Sequence, residues 1–147
     1  MSSQIDLDSD QTYKNTSSVT TSKTTLTIEL SDIDDITVQN SGTLSSTAKR
    51  GIDTSGEASS GTSVTINNTG TISGSDDAIR IDDALLNGTL VLDNSGIIQS
   101  TDDGQAVDFN SVSSASSITI INDSNGSIKC QVVRRHWRNQ GFRRPVS

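Results

Sequence analysis

Cysteine is almost missing from this chain, and its scarcity excludes two classes of protein. Cys130 alone cannot close an internal disulfide, so the 147 residues are not a disulfide-framed secreted module. One Cys and one His leave too few thiolate and imidazole ligands for a transition-metal centre. Aromatic residues make up 3% of the chain and hydrophobic residues 30%, low values for a globule built around one packed core. No apolar run reaches the roughly 18 residues of a membrane helix, so no segment is expected to insert in a bilayer. The opening MSSQIDLDSD has no basic region followed by an apolar one, and no signal peptide is visible. If the protein is exported, its address lies outside this chain, which is then expected to be a fragment. Walker, GxSxG and HExxH motifs are absent, as is the Gly-Gly-x-Gly-x-Asp calcium repeat.

Charge is unevenly spread. Met1 to Ile128 holds five basic residues against all 18 acidic ones, a net charge of −13. Lys129 to Ser147 holds six basic residues and no acidic one, a net charge of +6. Low hydrophobicity with a net charge of −7 is ordinarily a signature of disorder. A repeat that buries a thin apolar column is the main alternative.

Such a repeat is present. ITVQNSGTL (Ile36 to Leu44), VTINNTGTI (Val64 to Ile72) and LVLDNSGII (Leu90 to Ile98) share one layout. ITIINDSNGSI (Ile118 to Ile128) follows it with two extra residues before its glycine. The leading Asn40, Asn68, Asn94 and Asn122 are 28, 26 and 28 residues apart. Between these units recur Gly51-Ile52-Asp53-Thr54, Ala78-Ile79-Arg80-Ile81 and Ala106-Val107-Asp108-Phe109. Each repeat therefore contains three short extended pieces separated by polar turns. An apolar period of two and frequent Ser, Thr, Asn and Gly disfavour helix. A propeller blade of about 40 to 50 residues is too long for this period, whereas one coil of a parallel β-helix fits it.

The repeat predicts columns of equivalent residues: Ile36–Val64–Leu90–Ile118, Val38–Ile66–Leu92–Ile120 and Leu44–Ile72–Ile98–Ile128 inside, Thr37–Thr65–Val91–Thr119 outside. Asn40, Asn68, Asn94 and Asn122 are expected to stack at a corner through their amides. Gly42, Gly70 and Gly96 are expected there for positive φ, and Gly126, two residues late, is expected to mark a bulge. Asp53–Arg80–Asp108 predicts a charge-alternating outward column.

This chemistry resembles the passenger regions of Gram-negative autotransporters, the type V secretion systems, over about Ile36 to Ile128. The resemblance implies a right-handed parallel β-helix, displayed at the outer membrane surface or secreted in a full-length relative. It carries an adhesin or stalk role that meets host or neighbouring-cell surface molecules.

Catalysis in a β-helix would need carboxylates gathered on one face. Asp76 and Asp77 in SGSDDAI, and Asp102 and Asp103 in STDDGQAV, lie one repeat apart. Stacking would make a calcium site or an acid/base pair conceivable. Aspartate is also a favoured turn residue through its own backbone hydrogen bonds. With no Lys or Arg in the same turns to act as a lyase base, the residues are read as solvated turns.

The expected fold is all-β: a right-handed parallel β-helix of about three coils of 26–28 residues, incomplete at its ends. Residues 1–35 form an irregular, flexible lead-in with at most a partial first coil, residues 36–128 the repeats, and residues 129–147 a basic, atypical tail. That tail admits three readings: a nucleic-acid or anionic-surface patch, a solenoid cap, or a non-native, frameshifted or misjoined end. It holds the only Cys, His, Trp and Pro, which favours the last. The expected function is a non-enzymatic, monomeric surface fragment with no cofactor, no metal and no nucleic-acid partner. The alternatives are a carbohydrate-active enzyme using the four aspartates and a truncated product without selected function.

Overall fold

Where Ile, Val and Leu alternate with Ser, Thr and Asn, a strand has one apolar face and one polar face. A computed structural model describes residues 3–131 and uses the alternation in that way. The described residues form strands and one short 3-10 helix at Leu30–Asp32. One face of the solenoid contains β2 (Gln11–Asn15), β5 (Asp35–Asn40), β8 (Ser63–Asn68), β11 (Thr89–Asn94) and β14 (Ser117–Asn122). A second contains β3 (Ser18–Thr21), β6 (Thr43–Ser46), β9 (Thr71–Gly74), β12 (Ile97–Ser100) and β15 (Ser127–Cys130). The third contains β1 (Ile5–Leu7), β4 (Leu26–Glu29), β7 (Ile52–Ser55), β10 (Ile79–Arg80) and β13 (Val107–Asp108). All pairings are parallel, and five strands per face make a β-solenoid of about five turns.

The register follows the repeat. Ile36 pairs with Val64, Val64 with Leu90, and Leu90 with Ile118. Leu44 pairs with Ile72, Ile72 with Ile98, and Ile98 with Ile128. The third face adds the column Leu26–Ile52–Ile79–Val107. From Leu26 to Ile98 these inward aliphatic residues are fully buried. Each contributes about 1.5–3 kcal/mol by leaving water. Ile118 and Ile120, on the last coil, are 46% and 52% exposed because no further coil lies against them among the described residues.

Two boundaries differ from the sequence expectation. From residue 3 to 35, where the sequence predicts an irregular lead-in with at most a partial first coil, the chain is regular: β2 and β3 complete a coil against β5 and β6, and β1 precedes it on β4. Gln11 stands where later coils have an aliphatic residue, Tyr13 stands in the next column, and Ser17 replaces glycine, so the motif is hidden. Lys129 and Cys130 belong to β15, paired with Gln99 and Ser100, rather than to a separate tail. The basic-tail reading from Val132 onward lies outside the described residues.

The corner glycines are needed for a different reason from the one expected. Among the described glycines only Gly56 and Gly61 have positive φ. At Gly42, Gly70 and Gly96 an added Cβ would strike the backbone of the preceding coil: Ser17 for Gly42, Gly42 and Ser41 for Gly70, Gly70 and Thr69 for Gly96. Close approach of backbones selects the glycine column. Ser17 heads that column, with no described backbone before it. The two extra residues of the last coil form a small turn in which the Gly126 N–H donates to Asp123 O (2.8 Å), and β15 then resumes the register.

Replacing Gly70 by Ala is expected to destabilise the fold by about 1–3 kcal/mol, since the obstructing atoms are ladder backbone that cannot rotate aside. A lower urea midpoint at unchanged slope would report it.

Candidate functional site

Two aspartates, one arginine and a stack of turns make the most charged feature of the structure. Asp76 and Asp77 lie in the turn between β9 and β10, where the Asp76 N–H donates to Lys49 O (3.2 Å) and the Gly51 N–H to Asp77 O (3.4 Å). The turn one coil earlier places Arg50 on both carboxylates: Nη2 to Asp76 Oδ2 is 2.8 Å, and Nε to Asp77 Oδ2 is 3.2 Å. Its Nη1 also reaches Asp53 Oδ2 at 3.4 Å. Arg50 is therefore the basic partner that the Asp76/Asp77 turn lacks in sequence. The shared coil geometry brings it there from 26 and 27 residues away.

The coil that follows completes the arrangement. Asp77 Oδ1 accepts the Gln105 N–H (2.9 Å), so both oxygens of this buried carboxylate are engaged. Asp53 accepts Arg80 Nε (2.9 Å) and Nη2 (3.1 Å) in a fork, and Arg80 Nη1 extends to Asp82 (3.4 Å). The Arg80 guanidinium is held above its ordinary pKa, chiefly by the Asp53 hydrogen bonds. The alternating column is thus realised on one side only: Asp108 caps the Asn110 N–H (3.0 Å) rather than joining Arg80.

Asp102 and Asp103 are exposed. Their turn stacks on the previous one, with Gly104 packed against the Asp76 backbone. Among the described residues no hydrogen bond or ion pair links either of them to Asp76 or Asp77. Among the described residues no group of three or more His, Cys, Asp or Glu side chains is placed to hold a metal ion. The acidic turns are therefore divided: one pair bound by Arg50, the other solvated.

A second feature was not evident from sequence. Outside the asparagine corner runs a groove of about 270 Å³, lined by Lys14, Gln39 and Asn67 of the outward column with Thr16, Ser41 and Thr69 of the turns. Its polar groups are hydroxyls, amides and one ammonium, set among the aliphatic parts of the same side chains. Gln39 and Asn67 pair directly in register, as the repeat aligns them.

The buried wall of this groove is the asparagine ladder. Asn15, Asn40, Asn68 and Asn94 each donate from Nδ2 to Oδ1 of the next asparagine, at 2.7, 2.8, 2.8 and 2.7 Å. Their Nδ2 atoms also donate to the carbonyls of Ser17, Gly42, Gly70 and Gly96 within the same corner. Asn15 extends the predicted column by one coil.

Two substitutions test these assignments. Asn68→Leu should cost about 1–3 kcal/mol, because it leaves the Asn94 acceptor buried without a partner and takes one acceptor from Asn40; chemical denaturation would measure it. The second concerns pH. Ser31 and Ser55 hydrogen bonds hold the Glu29 carboxyl below its usual range, and the Asp35 and Asp34 amides do the same for Asp10. Groups lowered on folding contribute stability above their unfolded pKa and lose it as pH falls through the folded value. Melting temperature should therefore drop as pH falls through the carboxylate range. Glu29→Gln should flatten part of that fall, as followed by circular dichroism.

No protein-family model, no curated protein and no solved structure matches this chain.

Proposed function

We propose that this chain is a non-enzymatic surface segment, a stalk or adhesive rod of the kind found in autotransporter passengers, coiled in the right-handed sense that this resemblance implies. The observation that carries the reading is the use of the acidic residues. Arg50 and Arg80 engage Asp53, Asp76 and Asp77 across coils, so these carboxylates act as turn fasteners. What faces outward otherwise is a repeating polar surface, including the ladder Thr12–Thr37–Thr65–Val91–Thr119 and the groove at Lys14, Gln39 and Asn67. Contacts repeated at each coil favour multivalent binding, in which weak individual contacts sum to useful avidity. The partners would be molecules on a host or neighbouring cell, met by a full-length relative displayed at the outer membrane or secreted.

The test compares adhesion with turnover. The purified chain should bind immobilised host-cell or bacterial surface material, and Gln39→Ala with Asn67→Ala should weaken that binding several-fold without changing the circular dichroism spectrum. Wild type should leave pectin-like polymers uncut. Polymer cleavage that disappears in Asp76→Ala or Asp103→Ala would replace this reading with the carbohydrate-active one.

A further inference from the structure

The two ends of the solenoid fit one another. In each sheet the strand nearest the N-terminus occupies one edge and the strand nearest the C-terminus the other: β1 and β13, β2 and β14, β3 and β15. The described coils begin on the third face with β1 and stop on the second face after β15. The face due to follow β15 is therefore the face on which β1 begins. A copy stacked on the C-terminal end would enter in step with the spiral.

Side chains at the two edges agree with this step. Ile118 and Ile120 expose 46% and 52% of their surface, whereas Leu90 and Leu92 beneath them expose none. In the continued register they would face Gln11 and Tyr13 of a second copy, as Leu90 and Leu92 face Ile118 and Ile120 within the chain. The asparagine ladder is also open at both ends. Among the described residues Asn122 Nδ2 donates only to Gly126 O (3.1 Å), which leaves one N–H free. At the opposite end Asn15 Oδ1 accepts only the long contacts from Ser17 N (3.4 Å) and Oγ (3.5 Å), against 2.7–2.8 Å within the ladder.

We propose that this chain assembles head to tail, with β1, β2 and β3 of a second copy adding to β13, β14 and β15 and Asn122 donating to Asn15 across the joint. The sequence alone leads to a monomer; the two edges point instead to an open series. A heterologous contact between opposite ends does not close on itself, so growth continues as a filament. Unpaired parallel edges with apolar inward residues are suited to such strand addition.

Sedimentation velocity of the full chain should show species growing with concentration in steps of 15.5 kDa. Ile120→Lys spoils only the C-terminal edge and Tyr13→Lys only the N-terminal edge. Each alone should be monomeric, and a mixture should give one-to-one dimers, because each variant retains the edge that the other has lost. Association by two like ends predicts the opposite: one of the single variants would still self-associate. A covalent trap provides a second measurement if either lysine variant unfolds. In the proposed register Cys130 lies across from Thr21 of the next copy at about 4.8 Å, inside the range a disulfide spans. Oxidised Thr21→Cys should run as a ladder of cross-linked oligomers that vanishes when Cys130→Ser is added. A wild-type chain monomeric at every concentration, with Thr21→Cys giving nothing larger than a dimer, would overturn the proposal.

Discussion

A buried amide whose side-chain oxygen is met only by its counterpart one coil away sets the register of the whole structure. Asn40, Asn68 and Asn94 are at most 2% exposed, so an unpaired amide at any of them would cost about 1–3 kcal/mol. Each Nδ2 therefore binds the next Oδ1 and a carbonyl of its own corner, and Asn40 and Asn68 also reach the carbonyls of Thr71 and Ile97 in the following coil. A slip of one residue would break these bonds and turn the aliphatic columns outward. The apolar columns provide most of the burial, while the asparagines make one alignment the satisfactory one.

Because the ladder fixes strands and corners, variation in repeat length is confined to the turns. Successive ladder asparagines from Asn15 to Asn122 are separated by 25, 28, 26 and 28 residues, yet the strand register is preserved. Left-handed backbone lies in two of these intervals, at Gly56 and Gly61 between Asn40 and Asn68 and at Leu85 and Asn87 between Asn68 and Asn94, in each case outside the strands. The third face needs further help, since β10 and β13 are only two residues long. Arg50 and Arg80 supply it by tying two successive coils together, and Asp77 carries the link to the Gln105 N–H of the next. Individual ion pairs that are partly exposed contribute about 0–1 kcal/mol, but their shared geometry aligns turns that have little strand to hold them.

These constraints shape the functional reading. On the third face Arg50 and Arg80 use charge to fasten turns, and the outward Thr12–Thr37–Thr65–Val91–Thr119 column carries mostly hydroxyls at a constant step. Such a surface suits repeated weak contacts better than a single reaction centre. The same step leaves matching edges at the two ends, so a property that organises the interior also defines how one molecule can meet another.

The sequence by itself determined the fold class, the aliphatic columns, the asparagine corner and the register from Ile36 to Ile128, because identical layouts at near-constant spacing can bury their apolar residues in only one stacking. It did not reveal the first coil, where Gln11, Tyr13 and Ser17 depart from the motif and only pairing with β5 and β6 makes the strands evident. Nor did it explain the corner glycines, whose necessity comes from the backbone of the preceding coil rather than from their own φ. Tertiary structure also decided the fate of the aspartates. Asp76 and Asp77 looked like a free acidic pair in their own turn, and Arg50 binds both from a turn that is distant in sequence and adjacent in space. Local pattern specifies which face a side chain takes, whereas its partner belongs to another coil and appears only once the coils are stacked.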